Sequence, residues 1–194
     1  MKNSTLIFQN LDVNQMAFVL GTDFNGIDLL KKDGSVRCCV KCGQPTHKYS
    51  EPIDTRKKSK WDFSVSRDGF YMVSERVKSL FEENDFRGCR FISLSGGDYV
   101  LMPERCVDLD LDAMATCEAR ICDACGQFIK LTTDSEKPKL AANRSPIAKN
   151  EFVRSCQETP MVVGCDFWLI AGQAIVACLK KHCIQRVVPH KLLD

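Results

Sequence analysis

The apolar positions of the chain follow two periods, and the places where one gives way to the other mark its elements. Phe18-Val19-Leu20 is a short apolar run closed by the loop-type stretch Gly21-Thr22-Asp23-Phe24-Asn25-Gly26, and predicts a buried strand. Trp61-Asp62-Phe63-Ser64-Val65 alternates, Arg67-Asp68-Gly69 turns, and Phe70-Tyr71-Met72-Val73 is apolar again, which predicts two adjacent strands. At Ser74 the period changes. Val77, Leu80 and Phe81 recur at helical spacing, Ser74 is a good N-cap, and Glu75 stands in the first turn where the helix dipole favours it. Residues 84–88 end that helix. Cys89 to Leu94, the turn Gly96-Gly97-Asp98, and Tyr99 to Met102, stopped by Pro103, read as a hairpin. Val107-Asp108-Leu109-Asp110-Leu111-Asp112 alternates strictly and predicts a strand with one apolar and one acidic face. Phe128 to Leu131 is a further strand. A second helix is predicted from Gln173 to His182, with Ile175, Cys178 and Leu179 on one side and Lys180, Lys181 and His182 complementing its C-terminal dipole. Strand-like Arg186-Val187-Val188 and Pro189 close the chain. Runs of strands broken by two helices give an α+β fold.

The pattern repeats. Arg37-Cys38-Cys39-Val40-Lys41-Cys42-Gly43-Gln44 and Arg120-Ile121-Cys122-Asp123-Ala124-Cys125-Gly126-Gln127 both fit R-x-C-x-x-C-G-Q, 83 residues apart (120 − 37). Asp62-Phe63 is echoed by Asp166-Phe167, and Gly69 before its apolar run by Gly172 before Ile175-Val176. The chain is therefore expected to be a single α+β domain over 1–194. It would hold two degenerate repeats, about 35–94 and 118–190, each of strands plus a helix, with paired knuckles at 39–43 and 122–126. Neither unit can bury its face alone, so the two should pack together.

Composition narrows the setting. With 194 residues, a net charge of +2 and a pI near 7.9, the chain lacks the strongly basic balance of a nucleic-acid-binding domain. The run Arg56-Lys57-Lys58-Ser59-Lys60 has no interleaved aromatic residue and reads as a solvated loop. Twelve cysteines could be disulfides or, in a reducing compartment, metal ligands and small core residues. Leu6-Ile7-Phe8 is too short for a signal-peptide core, and no stretch approaches the ~20 apolar residues of a membrane helix. The expectation is a soluble, cytoplasmic, reduced protein, with Cys89, Cys106, Cys117, Cys156, Cys165, Cys178 and Cys183 as buried thiols.

The knuckles carry the chemistry. A C-x-x-C turn aims both sulfurs at one point, and the glycine after it supplies the positive φ the turn needs. Cys39, Cys42, Cys122 and Cys125 are the expected ligands of one structural Zn²⁺, closed to substrate, in a zinc-ribbon-like site. Arg37, Lys41, Arg120 and Lys130 could offset the charge of four thiolates. A redox motif and an iron–sulfur cluster use the same residue types. Cys38 and His47 are the alternative ligands, while His182 and His190 read as surface or cap residues. No H-E-x-x-H, G-x-S-x-G or phosphate-binding glycine loop is present, and Asp62 and Asp166 read as turn or cap residues, so no enzyme is expected.

Two C-x-x-C-G knuckles (Cys39 to Gly43 and Cys122 to Gly126), with Trp61-Asp62-Phe63 leading through Val73-Ser74-Glu75-Arg76-Val77, resemble the bacterial double-CXXCG motif proteins, known from paralogues in myxobacteria. Asp62 to Leu94 is also similar to part of another group of predicted toxin-immunity proteins. The second half departs from the pattern, with Val176-Ala177 where Val-Ser would stand. The resemblance implies a cytoplasmic immunity protein that occludes a cognate protein toxin. Asp108, Asp110, Asp112 and Glu118 are the candidate contact surface for a basic partner. The alternative is a zinc-ribbon nucleic-acid-binding module.

Overall fold

The computed structural model describes residues 16–46, 53–114, 116–133, 139–141, 146–160, 165–184 and 187–192. Two sheets carry the architecture. In the first, β2 (Phe63–Val65), β3 (Tyr71–Ser74), β5 (Asp98–Pro103) and β4 (Cys89–Ser93) lie side by side in that order, all antiparallel, with α1 (Glu75–Glu83) connecting β3 to β4. In the second, β9 (Phe152–Pro160), β10 (Cys165–Gly172), β1 (Ala17–Thr22) and β11 (Val187–Lys191) lie in the corresponding order, again antiparallel, with α2 (Gln173–Lys181) connecting β10 to β11. The short β6 (Cys106–Val107) adds to β9 in parallel, and β7 (Thr116–Ile121) and β8 (Phe128–Thr133) form a separate hairpin.

The correspondence extends to single positions. The helices start 98 residues apart (173 − 75) and have nine residues each. Asp85 and Cys183, one residue beyond the C-caps, both take positive φ, 49° and 52°. Phe86 N–H closes on Phe81 O at 3.0 Å and Ile184 N–H on Leu179 O at 3.1 Å, the same Schellman closure twice. Phe63 pairs with Val73 as Phe152 pairs with Ala171, and Tyr99 pairs with Val73 as Phe18 pairs with Ala171. The second sheet takes its third strand from the start of the chain, where the first takes it from the strand after β4. Gly172 thus corresponds to Ser74, and Phe167 lies on β10 whereas Phe63 lies on β2. The sequence echoes of Asp62-Phe63 with Asp166-Phe167 and of Gly69 with Gly172 are not the structural ones.

Alternation sorts the side chains between three cores. Tyr71, Val73 and Leu101 of one sheet and Leu20, Phe152, Phe167, Leu169 and Ala171 of the other face a shared core, closed by Val77, Leu80 and Phe81 of α1 and Ile175, Val176 and Leu179 of α2. Tyr71 joins the sheets: its ring stands 5.4 Å from that of Phe167, and its hydroxyl donates to Phe167 O at 3.3 Å. The intervening residues Val19, Val153 and Ile170 face a second core on the outer side of their sheet, and Met72, Val100 and Met102 a third.

The helix N-termini reach one end by different chemistry. Ser74 Oγ accepts from Val77 N–H at 3.4 Å and donates to Asp62 at 2.7 Å, which also pairs with Arg76 at 2.9 Å. Asp62 is thus a cap residue. Gly172 has no side chain to offer, and Ala174 N–H is instead received by Lys149 O at 2.8 Å. A Cβ at Gly172 would stand 2.2 Å from Ala148 O, so only glycine lets that segment approach.

Segments without regular structure cover the outer faces. Residues 23–30 cross the first sheet, where Leu29 is fully buried. Their anchor is the buried carboxylate of Asp68, which accepts from Leu29 N–H at 2.7 Å, Leu30 N–H at 2.6 Å and the Ser66 hydroxyl. The basic residues of the run 56–60 are exposed and only Ser59 is buried: Arg56 pairs with Asp54 at 2.8 Å, Lys58 packs against Gly96, and Lys60 lies 5.2 Å from the Trp61 ring.

Three expectations are corrected. Cys106 and Cys156 are not free buried thiols; they form a disulfide joining β6 to β9, Cα atoms 5.0 Å apart. Cys183 is exposed, Cys89 is half-buried and Cys178 is buried as expected; the side chains of Cys117 and Cys165 lie outside the described residues. The alternating run 107–112 is not a strand throughout: pairing ends at Val107, Leu109 bridges to Leu140, and a turn follows in which Asp110 O accepts from Met114 N–H at 3.0 Å. Pro189 lies within β11, allowed because β11 is an edge strand.

Asp68→Ala leaves the buried Leu29 N–H and the half-buried Leu30 N–H without this acceptor and should lower stability by about 2–3 kcal/mol, read as a drop in the urea midpoint. Burial beside Glu104 pushes the Cys89 thiol from 9.0 up to about 12. The unfolded chain therefore loses this proton first, and the contribution of Cys89 to stability, complete below about pH 9, should decline as pH rises towards 12. Urea titrations of wild type and Cys89→Ala across that window should differ in slope.

Candidate metal centre

Each knuckle is built by the same local bonds. Cys39 N–H donates to Gln44 O at 2.8 Å and Gly43 N–H to Cys39 O at 2.8 Å; Cys122 N–H donates to Gln127 O at 2.8 Å and Gly126 N–H to Cys122 O at 2.7 Å. Gly43 and Gly126 both have φ of 74°, the left-handed conformation the turn requires. Cys38 bridges to Pro45 as Ile121 pairs with Phe128, so both knuckles sit at the tip of a hairpin. The shared phrase R-x-C-x-x-C-G-Q is the sequence of this turn. Its terminal glutamine serves by its backbone carbonyl, and Gln127 also reaches across to donate to Pro45 O at 2.7 Å.

The tips meet. Sγ of Cys39 lies 3.8 Å from that of Cys122, and Sγ of Cys42 3.6 Å from that of Cys125. All four sulfurs lie within 4.8 Å of one another. Thiolates bonded at about 2.3 Å to one tetrahedral ion stand about 3.8 Å apart, whereas a disulfide would require about 2.05 Å. The set therefore fits a single four-coordinate metal ion, and these four residues could hold one. Cys39 and Cys122 are buried, Cys42 and Cys125 half-buried.

The protonation of the thiols points the same way. The backbone N–H groups of Cys42 and Lys41 draw Cys39 down to about 6. At Cys125 the N–H of Gln127 acts in the same direction, but burial and the three neighbouring sulfurs outweigh it and push the thiol up to about 12. Four thiolates so close cannot all ionise without a cation among them. Lys41 reaches Asp123 of the other knuckle at 2.6 Å, an exposed pair worth about 0–1 kcal/mol at most.

Other sequence candidates are scattered. Cys38 is exposed and its thiol faces Val36 O at 3.8 Å, outside the sulfur cluster. His182 is the C-cap of α2, and its carbonyl accepts from Arg76 at 2.6 Å. His47 lies outside the described residues, as do the side chains of His190, Asp166 and Glu118. Asp108 accepts from Gln157 Nε2 at 3.1 Å, Asp110 accepts from Ala113 N–H at 2.8 Å within its turn, and Asp112 is exposed. These aspartates share a short segment held at its base by the Cys106–Cys156 disulfide. That bond joins strands 50 residues apart in sequence, and no spacing rule links its two cysteines. No helix among the described residues is long and apolar enough to cross a membrane. No family model matches this chain, and no curated protein matches it.

Purified protein should contain about one metal ion per chain by elemental analysis. Cys39→Ser and Cys122→Ser should each abolish retention of that ion through gel filtration and lower the melting temperature by at least several degrees, whereas Cys38→Ser should change neither.

Proposed function

We propose that this chain is an immunity-type binding protein: it engages a cognate protein toxin and blocks it by occlusion, with no turnover of its own. The four cysteines Cys39, Cys42, Cys122 and Cys125 hold a structural Zn²⁺, and the two sheet-and-helix units descend from an internal duplication. The observation that carries the structural-metal part of this reading is the sulfur cluster itself. Four thiolates complete the coordination of a zinc ion and leave no position for substrate or water, which suits a clasp rather than a reactive centre. The matching helix caps and strand registers support duplication. The partner class comes from the resemblance of the knuckles and of Asp62 to Leu94 to the double-CXXCG proteins.

The contact surface in this reading is the acidic segment with Asp108, Asp110, Asp112 and Glu118. Its pinning at Cys106–Cys156 supports a preformed surface, which lowers the ordering cost of association. Carboxylates here would steer a basic toxin and set its register. The compartment implied by the resemblance is the cytoplasm.

Co-expression with the product of the adjacent gene should yield a stable complex and rescue cells from that product. Asp112→Lys should weaken the complex about tenfold, roughly 1.4 kcal/mol, by calorimetry. If neither a complex nor rescue appears, the immunity reading fails, and the metal content of the purified chain is unaffected by that outcome.

A further inference from the structure

The two units differ in what fills the space under the helix. A cavity of about 160 Å³ lies under α2, lined by Leu20, Val176, Leu179, Ile184, Val187 and Pro189, with the exposed Lys180 and Cys183 completing its wall. The corresponding place under α1 can be identified residue by residue. The equivalent helix closures match Phe81 with Leu179 and Phe86 with Ile184. On the edge strands, Phe91 stands opposite Leu101 as Pro189 stands opposite Leu20. Under α1 these positions form an aromatic cluster: Phe81 lies 5.6 Å from Phe86 and 6.3 Å from Phe91, ring centroid to ring centroid. Under α2 the three rings are replaced by leucine, isoleucine and proline. The backbone scaffold is kept and the aromatic filling is gone.

We propose that the cavity under α2 is a binding site for one small, uncharged, monocyclic aromatic molecule. Three observations fix that class. The volume suits a single ring, since an apolar cavity of roughly 150 Å³ is enough to admit benzene. Six of the eight lining residues are apolar, and the two polar ones, Lys180 and Cys183, are exposed, so the wall is mainly hydrocarbon. The same scaffold elsewhere in the molecule is completed by rings, so a ring between α2, β1 and β11 restores the packing that Phe81, Phe86 and Phe91 give the other unit. The site is independent of the metal centre and of the proposed partner surface.

Benzene is the probe. In methyl carbon–proton correlation spectra of the full chain, benzene should shift the signals of Leu20, Val176, Leu179, Ile184 and Val187 saturably, and leave the methyls of the α1 unit unmoved. Absent, non-saturable or scattered shifts would overturn the proposal. Ile184→Phe places a ring where Phe86 has one; it should raise the melting temperature and weaken benzene binding by at least tenfold. A folded Ile184→Phe that binds benzene as wild type does would also overturn it, as would cyclohexane binding as tightly as benzene. Should Ile184→Phe not fold, the wild-type spectra decide alone.

Discussion

The inner faces of the two sheets are largely apolar, and what covers them is one another and two nine-residue helices. That mutual dependence is the constraint the rest of the molecule answers to. A unit of four short strands and one helix, taken alone, would expose Tyr71, Val73 and Leu101, or Leu20, Leu169 and Ala171, to water. Burying such side chains is worth about 1.5–3 kcal/mol each, against an ordering cost of similar total size. Pairing two units doubles the buried face without lengthening any element. The cost is that each sheet must also cover its outer side, and irregular chain does that work.

Those covering segments lack ladder hydrogen bonds of their own and are tied down by specific bonds. Asp68 holds residues 27–30 by accepting two backbone N–H groups, and the Cys106–Cys156 bond holds the path from the first sheet towards the second knuckle. The sulfur cluster joins the far ends of these two excursions. A cross-link there would span the 79 residues between the knuckles (43 to 121), a loop whose closure by hydrophobic contact alone would be entropically costly. A metal ion at this point would tie both coverings to one place.

The proposed functions sit on different parts of this plan. The acidic segment rises from the disulfide at the edge of the second sheet. The aromatic-ring site lies inside the unit of α2, where the scaffold of the unit of α1 is kept but its phenylalanines are not. The shared inner face holds the pair together, with a ring-filled core under α1 and an open cavity under α2.

Much of this was legible along the chain. The α+β class, the helix with its Ser74 cap, the β4–β5 hairpin and the two cysteine turns all follow from local chemistry: side-chain period, capping, turn residues and the geometry of C-x-x-C-G. Local pattern failed where the deciding interaction is distant. Val107 to Asp112 alternates as a strand should, but β9 offers a partner only to Cys106 and Val107, so the remainder turns. β9 itself, Phe-Val-Arg-Ser-Cys-Gln-Glu-Thr-Pro, shows little periodicity and is a strand because β10 pairs with it. The positional match of the two sheets was not legible, because Gly172 stands where Ser74 does and a carbonyl from Lys149 takes over the capping. The sequence by itself determined which residues could cap, turn and ligate. Only the tertiary structure decided which strands pair, that Cys106 meets Cys156, and that the two knuckles meet. Those depend on contacts between segments tens of residues apart, which no local period encodes.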